Sequence, residues 1–179
     1  MTQRRAWTGL AFWLALFISG PALAGVGTGT FTAQTTVNAN CTLSTSAVAF
    51  GYYDPIGANK TAALNSIGTI TIACVKDTAP TIALDLGANA SGTTRRMQNA
   101  TLPGNYLQYE LYLPSGTAPN AACSFPGATV WGSGGANLLT PGAATNTSAR
   151  TYNVCGSIPA GLNPTIGSYQ DTVLATVNF

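Results

Sequence analysis

The sequence predicts an all-β protein, a single antiparallel sandwich. Three observations predict it. After residue 24 no stretch keeps the i, i+3, i+4, i+7 apolar spacing of a helix over three turns. Apolar residues instead recur at every second position in short runs, and clusters rich in Gly, Pro, Asn and Ser separate those runs. The 179 residues carry 20 glycines and 10 prolines but few charges, so turns are plentiful and there is room for one well-buried core.

The chain opens with a leader. Arg4 and Arg5 precede the apolar run Leu10–Ile18, and Ala22-Leu23-Ala24 supplies the small-x-small pattern of a signal-peptidase site. Cleavage is expected between Ala24 and Gly25. The apolar run is about half of the roughly 20 residues that a bilayer-spanning helix needs, so stable membrane insertion after signal removal is not expected. Ordinary export to the periplasm follows.

Gly29–Cys41 (GTFTAQTTVNANC) places Phe31, Ala33, Thr35, Val37 and Ala39 on one face and Thr30, Thr32, Gln34, Thr36 and Asn38 on the other. A period of two marks a strand with one buried face. The core that takes this face can belong to this molecule or to a neighbour. Thr42–Phe50 is a second extended run, ended by the turn residues of FGYYDP at 50–55. Ile56–Thr61 reads as a loop. Ser66–Val75 is apolar on both faces, as a central strand is. Thr81–Leu86 follows Pro80 as another strand, and Gly87–Thr94 is a turn by composition. Arg95–Ala100 is a weaker extended segment.

Asn105–Leu113 sends Leu107, Tyr109, Leu111 and Leu113 to the core and Tyr106, Gln108, Glu110 and Tyr112 to the other face. Residues 114–146 are rich in Gly, Ala, Pro, Ser and Asn, with a short strand expected at Ala128–Gly132. Thr151–Ile158 is extended, and Pro159–Pro164 is a loop. Gly167–Phe179 is read as one final strand, with Tyr169, Val173, Ala175, Val177 and Phe179 sharing a face.

Beyond residue 24 the charges are Lys60, Lys76, Arg95, Arg96 and Arg150 against Asp54, Asp77, Asp85, Glu110 and Asp171. The formal net charge of +2 therefore resides in the leader, and a near-neutral surface offers nucleic acid or an anionic membrane no general attraction. With no histidine, neither a Ser-His-Asp nor a Cys-His site can be built. The five carboxylates read as solvated strand and turn residues rather than as a catalytic pair, and no Gly-rich stretch follows the strand-to-helix pattern of a phosphate loop. An enzyme is not expected, nor is a cofactor. Tyr52, Tyr53 and Trp131 lie near loops and are the aromatic candidates for surface recognition.

Cys41, Cys74, Cys123 and Cys155 are an even set in an exported chain, which points to two disulfides with three possible connectivities. Joining neighbouring strands in chain order favours Cys41–Cys74 and Cys123–Cys155. Without a C-x-x-C pair or a histidine, no metal site is expected.

The early alternating strand ending in Cys41, FGYYDP, Arg96-Met97, LQYELYL at 107–113, TVWG at 129–132, GSIPA at 156–160 and the closing GSYQDTVLATVNF together resemble the spore coat protein U domain family. Their ordered set spans nearly the whole chain after the leader. The family includes subunits of archaic chaperone-usher pili. The resemblance implies an incomplete immunoglobulin-like sandwich that lacks its last strand and leaves a groove of apolar core and unpaired backbone. A periplasmic chaperone would fill the groove first. At the outer-membrane usher, a neighbouring pilus subunit would then replace it with its own N-terminal strand, paired through backbone hydrogen bonds.

On that reading residues 1–24 are the signal peptide, 25–40 the donor-strand extension and 41–179 the pilin domain. Phe31, Ala33, Thr35, Val37 and Ala39 are the donor residues. Val173, Ala175, Val177 and Phe179 border the acceptor groove, and no residues remain for a closing strand. Cys155 stands before Gly156 where the family leads one to expect an aromatic, so the second disulfide reads as a local addition. The expected product is a cell-surface pilus that supports adhesion or biofilm formation. Two other classes use the same sandwich: a self-complemented secreted adhesin or lectin-like module, and a secreted coat or matrix protein.

Overall fold

The computed structural model describes residues 25–179; the expected signal peptide lies outside them. The chain divides into an N-terminal unit ending at Thr36 and a folded unit from Val37 to Phe179. Residues 25–40 form no strand, and all their side chains are exposed. Of the alternating segment expected to be a strand, only Cys41 belongs to one. Alternation fixes a face, but a strand exists only where a sheet edge supplies backbone partners.

The strands of the folded unit are β1 Cys41–Ser46, β2 Leu64–Cys74, β3 Thr81–Leu84, β4 Arg95–Asn99, β5 Tyr106–Tyr112, β6 Arg150–Ile158, β7 Tyr169–Gln170 and β8 Ala175–Asn178. They form a six-stranded sheet of order β1-β2-β6-β5-β4-β7 and a two-stranded sheet of β3 and β8, with every pairing antiparallel. β2 is central, as its two apolar faces require. Ile70 and Ile72 pack with Tyr152, Val154, Leu107 and Leu111 of the same sheet and with Ile82 and Leu84 of the other. This is an immunoglobulin-like antiparallel sandwich.

Three sequence expectations are corrected. The final run is not one strand. Its first part, β7, pairs with β4, its last part, β8, pairs with β3, and residues 171–174 carry the chain from one sheet to the other. Alternation persists across the break because both sheets face the same core. The strand expected at Ala128–Gly132 is reduced to a single bridge between Val130 and Tyr112. Trp131, expected near the surface, is fully buried and donates its indole N–H to the Ile82 carbonyl at 3.0 Å. A large ring in a Gly-rich segment has no periodic neighbours to mark it as core.

The disulfides join Cys41 to Cys74 and Cys123 to Cys155. The first links the start of β1 to the end of β2, where the two are in register. The second fastens the 114–127 loop to β6, helped by the Asn153 side chain donating to the Ala121 carbonyl.

Candidate functional site

Beyond Ser46 the chain leaves its pairing with β2 and turns over the inner face of the large sheet. Two glycines make this possible. A Cβ on Gly68 would lie 2.7 Å from Val48 Cγ2, and one on Gly156 would lie 2.8 Å from Phe50 Cζ. Val48 and Phe50 fill the hollow so formed, and Phe50 meets the Tyr109 ring edge-on at 6.1 Å.

A groove of about 420 Å³ opens between this inward segment and the final run. Ile70, Val154, Tyr109 and Met97 form its floor. Thr45–Phe50 make one rim and Tyr169–Ala175 the other. β8 is hydrogen-bonded only to β3 and residues 47–50 belong to no strand, so both rims carry backbone groups without a sheet partner. The groove thus has an apolar floor and two rims that no strand bridges.

The final run is held by polar contacts. Asp85 N–H donates to the Leu174 carbonyl at 3.0 Å, and Leu174 N–H donates to the Asp85 carboxylate at 2.9 Å. Tyr109 donates its hydroxyl to Asp171 at 2.7 Å. Burial first, and the neighbouring Asp171 carboxylate second, push the Tyr109 pKa well above the ordinary tyrosine value, so it remains a donor.

Of the expected groove residues, Val173 and Ala175 line the cavity, and both pack against the core. Val177 lies further along β8 and also packs against the core. Phe179 follows the end of β8 and is 55% exposed. Of the expected donor residues, Phe31 is 92% and Val37 76% exposed, and Ala33, Thr35 and Ala39 are exposed too. Gly25, expected to start the mature chain, is exposed, while Ala24 lies outside the described residues. Of the other aromatic candidates, Tyr52 is exposed, whereas the Tyr53 hydroxyl donates to the Pro159 carbonyl and braces a loop.

Sequence reasoning missed Arg95, which is 0% exposed. Its guanidinium pairs with Glu110 and donates to the carbonyls of Asp85 and Trp131, tying β4 and β5 to the end of β3. Glu110, read from the sequence as solvated, is this buried cation's partner. The available signal was phase: Arg95, Met97 and Asn99 share one face of β4, and that face looks inward.

Among the described residues no cluster of three or more His, Cys, Asp or Glu could hold a metal ion, and no helix is long and apolar enough to cross a membrane.

The profile of the Spore Coat Protein U domain matches residues 27–176. The chain is 29% identical over 178 residues to Protein U of Myxococcus xanthus, covering 92% of each. It shares a fold with a chain in the crystal structure of the CsuC-CsuE chaperone-tip adhesion subunit pre-assembly complex, from archaic chaperone-usher Csu pili of Acinetobacter baumannii. There the TM-score is 0.53 at 23% identity, over 80% of this chain and 41% of that one, so this chain spans less than half of its structural relative.

Proposed function

The chain belongs to the Spore Coat Protein U domain family, and on that footing we propose that it is a structural subunit of an archaic chaperone-usher pilus that polymerises by donor-strand exchange. The observation that carries this reading is the open groove between residues 45–50 and 169–175. Its occupant is the segment Phe31–Ala39 of a neighbouring subunit, whose apolar side chains alternate and are exposed in this chain.

The donated segment would bond to both rims at once and so join the two sheets. Phe31, Ala33, Thr35, Val37 and Ala39 would turn toward the floor, where Met97 is only partly buried. Val173, Ala175, Val177 and Phe179 would lie along the β8 side. Before assembly a periplasmic chaperone would lend the strand, and exchange would take place at the outer-membrane usher. Head-to-tail exchange joins two different surfaces, so it builds an open fibre rather than a closed ring. That fibre would stand on the cell surface and support adhesion and biofilm formation.

The test is co-expression of the chain with a periplasmic chaperone and usher, comparing the native sequence with Phe31→Asp. The variant is expected to bind chaperone normally yet fail to plug its neighbour. Normal polymer from Phe31→Asp would overturn the assignment. A monomer whose own groove protects residues 31–39 from hydrogen exchange would favour the self-complemented adhesin instead.

A further inference from the structure

On the other side of β7 from the groove lies a second, smaller cleft of about 260 Å³. Gln170 and Asp171 line both cavities, so β7 is a wall shared between them. The cleft is polar: Asn89, Gln98, Gln170, Asp171 and Thr172 surround it, and Pro103 supplies an apolar surface. We propose that this cleft is a binding site for a neutral, hydroxyl-rich ligand, a single pyranose ring of a glycan.

Three features carry the assignment. The first is hydrogen-bonding capacity. Among the described residues the side chains of Gln170 and Thr172 make no hydrogen bond, and Gln98 uses only its amide N–H, donated to the Tyr106 hydroxyl at 3.3 Å. Asn89 likewise donates its amide but leaves its side-chain carbonyl free. Planar amides that both donate and accept suit the vicinal hydroxyls of a sugar, each of which does the same.

The second feature is rigidity. Gln98 stands directly opposite Tyr106 on one side and Gln170 on the other, so Tyr106, Gln98 and Gln170 form one row across β5, β4 and β7. The loop carrying Asn89 is tied down at several points. Asn89 N–H and its side-chain amide both donate to Asp171, Ala88 N–H donates to the Thr172 carbonyl, and Arg96 donates to the Asn89 carbonyl. The backbone and the Asn89 side chain are thus fixed before a ligand binds, and ordering is left only to the exposed Gln170 and Thr172 side chains.

The third feature is charge and size. Asp171 is the one charged side chain in the lining, and Arg96 is engaged with the Asn89 carbonyl and stacked 4.0 Å from the Tyr106 ring centre. With one carboxylate in the lining and one guanidinium beside it, the cleft carries no net charge to draw a uronate or a sialylated sugar. The volume falls below the roughly 300 Å³ at which pockets for drug-sized ligands begin, which limits the occupant to about one ring.

The experiment titrates the purified full chain with the methyl pyranosides of glucose, galactose, mannose and N-acetylglucosamine, followed by NMR. At least one is expected to bind saturably in the millimolar range, and Gln98→Ala and Gln170→Ala are each expected to weaken it about tenfold. Ile56→Ala, in a different loop and 90% exposed, should change nothing, and matching circular dichroism spectra would establish that the variants fold. No saturable binding of any of the four, binding that survives both glutamine substitutions, or binding confined to glucuronate run alongside would each overturn the proposal. Fibre assembly is not part of the readout, so a chain that polymerises but ignores sugars sinks this inference and leaves the pilus reading standing.

Discussion

Residues 31–39 and 169–177 carry the same period-two pattern over the same length, and the folded chain treats them differently. In the first every side chain is exposed. In the second the odd positions from Tyr169 to Val177 are partly buried and the even ones are exposed. What separates them is partners: β7 has β4, β8 has β3, and Asp85 and Tyr109 reach the residues between. Period-two alternation specifies which face a strand will bury, and says nothing about whose sheet will receive it.

The comparison can be broken most severely at Arg95. Its contacts to Glu110 and the Asp85 carbonyl set the end of β3, against which the final run is docked. Arg95→Ala leaves Glu110 half-buried without its cation, and denaturant unfolding should show a loss of about 3–5 kcal/mol. The final run would then lose protection from hydrogen exchange first, coming to behave like residues 31–39.

Next in size is the bond at the base of the N-terminal segment. Cys41→Ser with Cys74→Ser opens a loop of 33-residue sequence separation and should cost roughly 3–4 kcal/mol by the loop-entropy relation. Unchanged denaturation midpoints would mean that the β1–β2 register needs no covalent help.

A smaller effect is expected from Tyr109→Phe, which removes the hydroxyl donated to Asp171 and should cost about 1.5 kcal/mol. The same residue sharpens the comparison through pH. Tyr109, Tyr112 and Tyr152 all have pKa values raised, chiefly by burial, so in the folded chain they stay neutral where the unfolded chain would ionise. Their contribution is fully present below the ordinary tyrosine value of about 10 and is lost as pH rises beyond it. Alkaline titration of stability should therefore fall more gently in Tyr109→Phe than in the native chain.

The smallest effect belongs to the exposed segment. Phe31→Ser should shift the unfolding of the isolated chain by no more than about 0.5 kcal/mol, since a 92% exposed ring has little burial to lose. A large change would place Phe31 in a core of this chain and erase the contrast between the two segments.

Much of the fold was legible because burial leaves a periodic trace. β2 announced itself through apolar residues on both faces, β5 through Leu107, Tyr109 and Leu111, and β6 through its position around Cys155. Arg95 and Trp131 were hidden for opposite reasons. Arg95 is charged and so reads as surface, although a partner 15 residues away permits its burial. Trp131 sits among glycines and alanines, where no alternation survives to reveal its direction.

The amino-acid order by itself determined the all-β class, the turns and the inward face of each run, because those follow from local backbone geometry and the cost of exposing apolar side chains. It also carries the ordered blocks by which the chain resembles the Spore Coat Protein U domain family. Only the tertiary structure decided where the final run changes sheets, how Gly68 and Gly156 admit Val48 and Phe50, and that a groove stays open beside β7 with a polar cleft behind it. These are matters of which distant segments meet. Backbone hydrogen bonds are satisfied by any strand of suitable geometry, so their allocation among partners is settled by packing in space and leaves no mark in a single sequence.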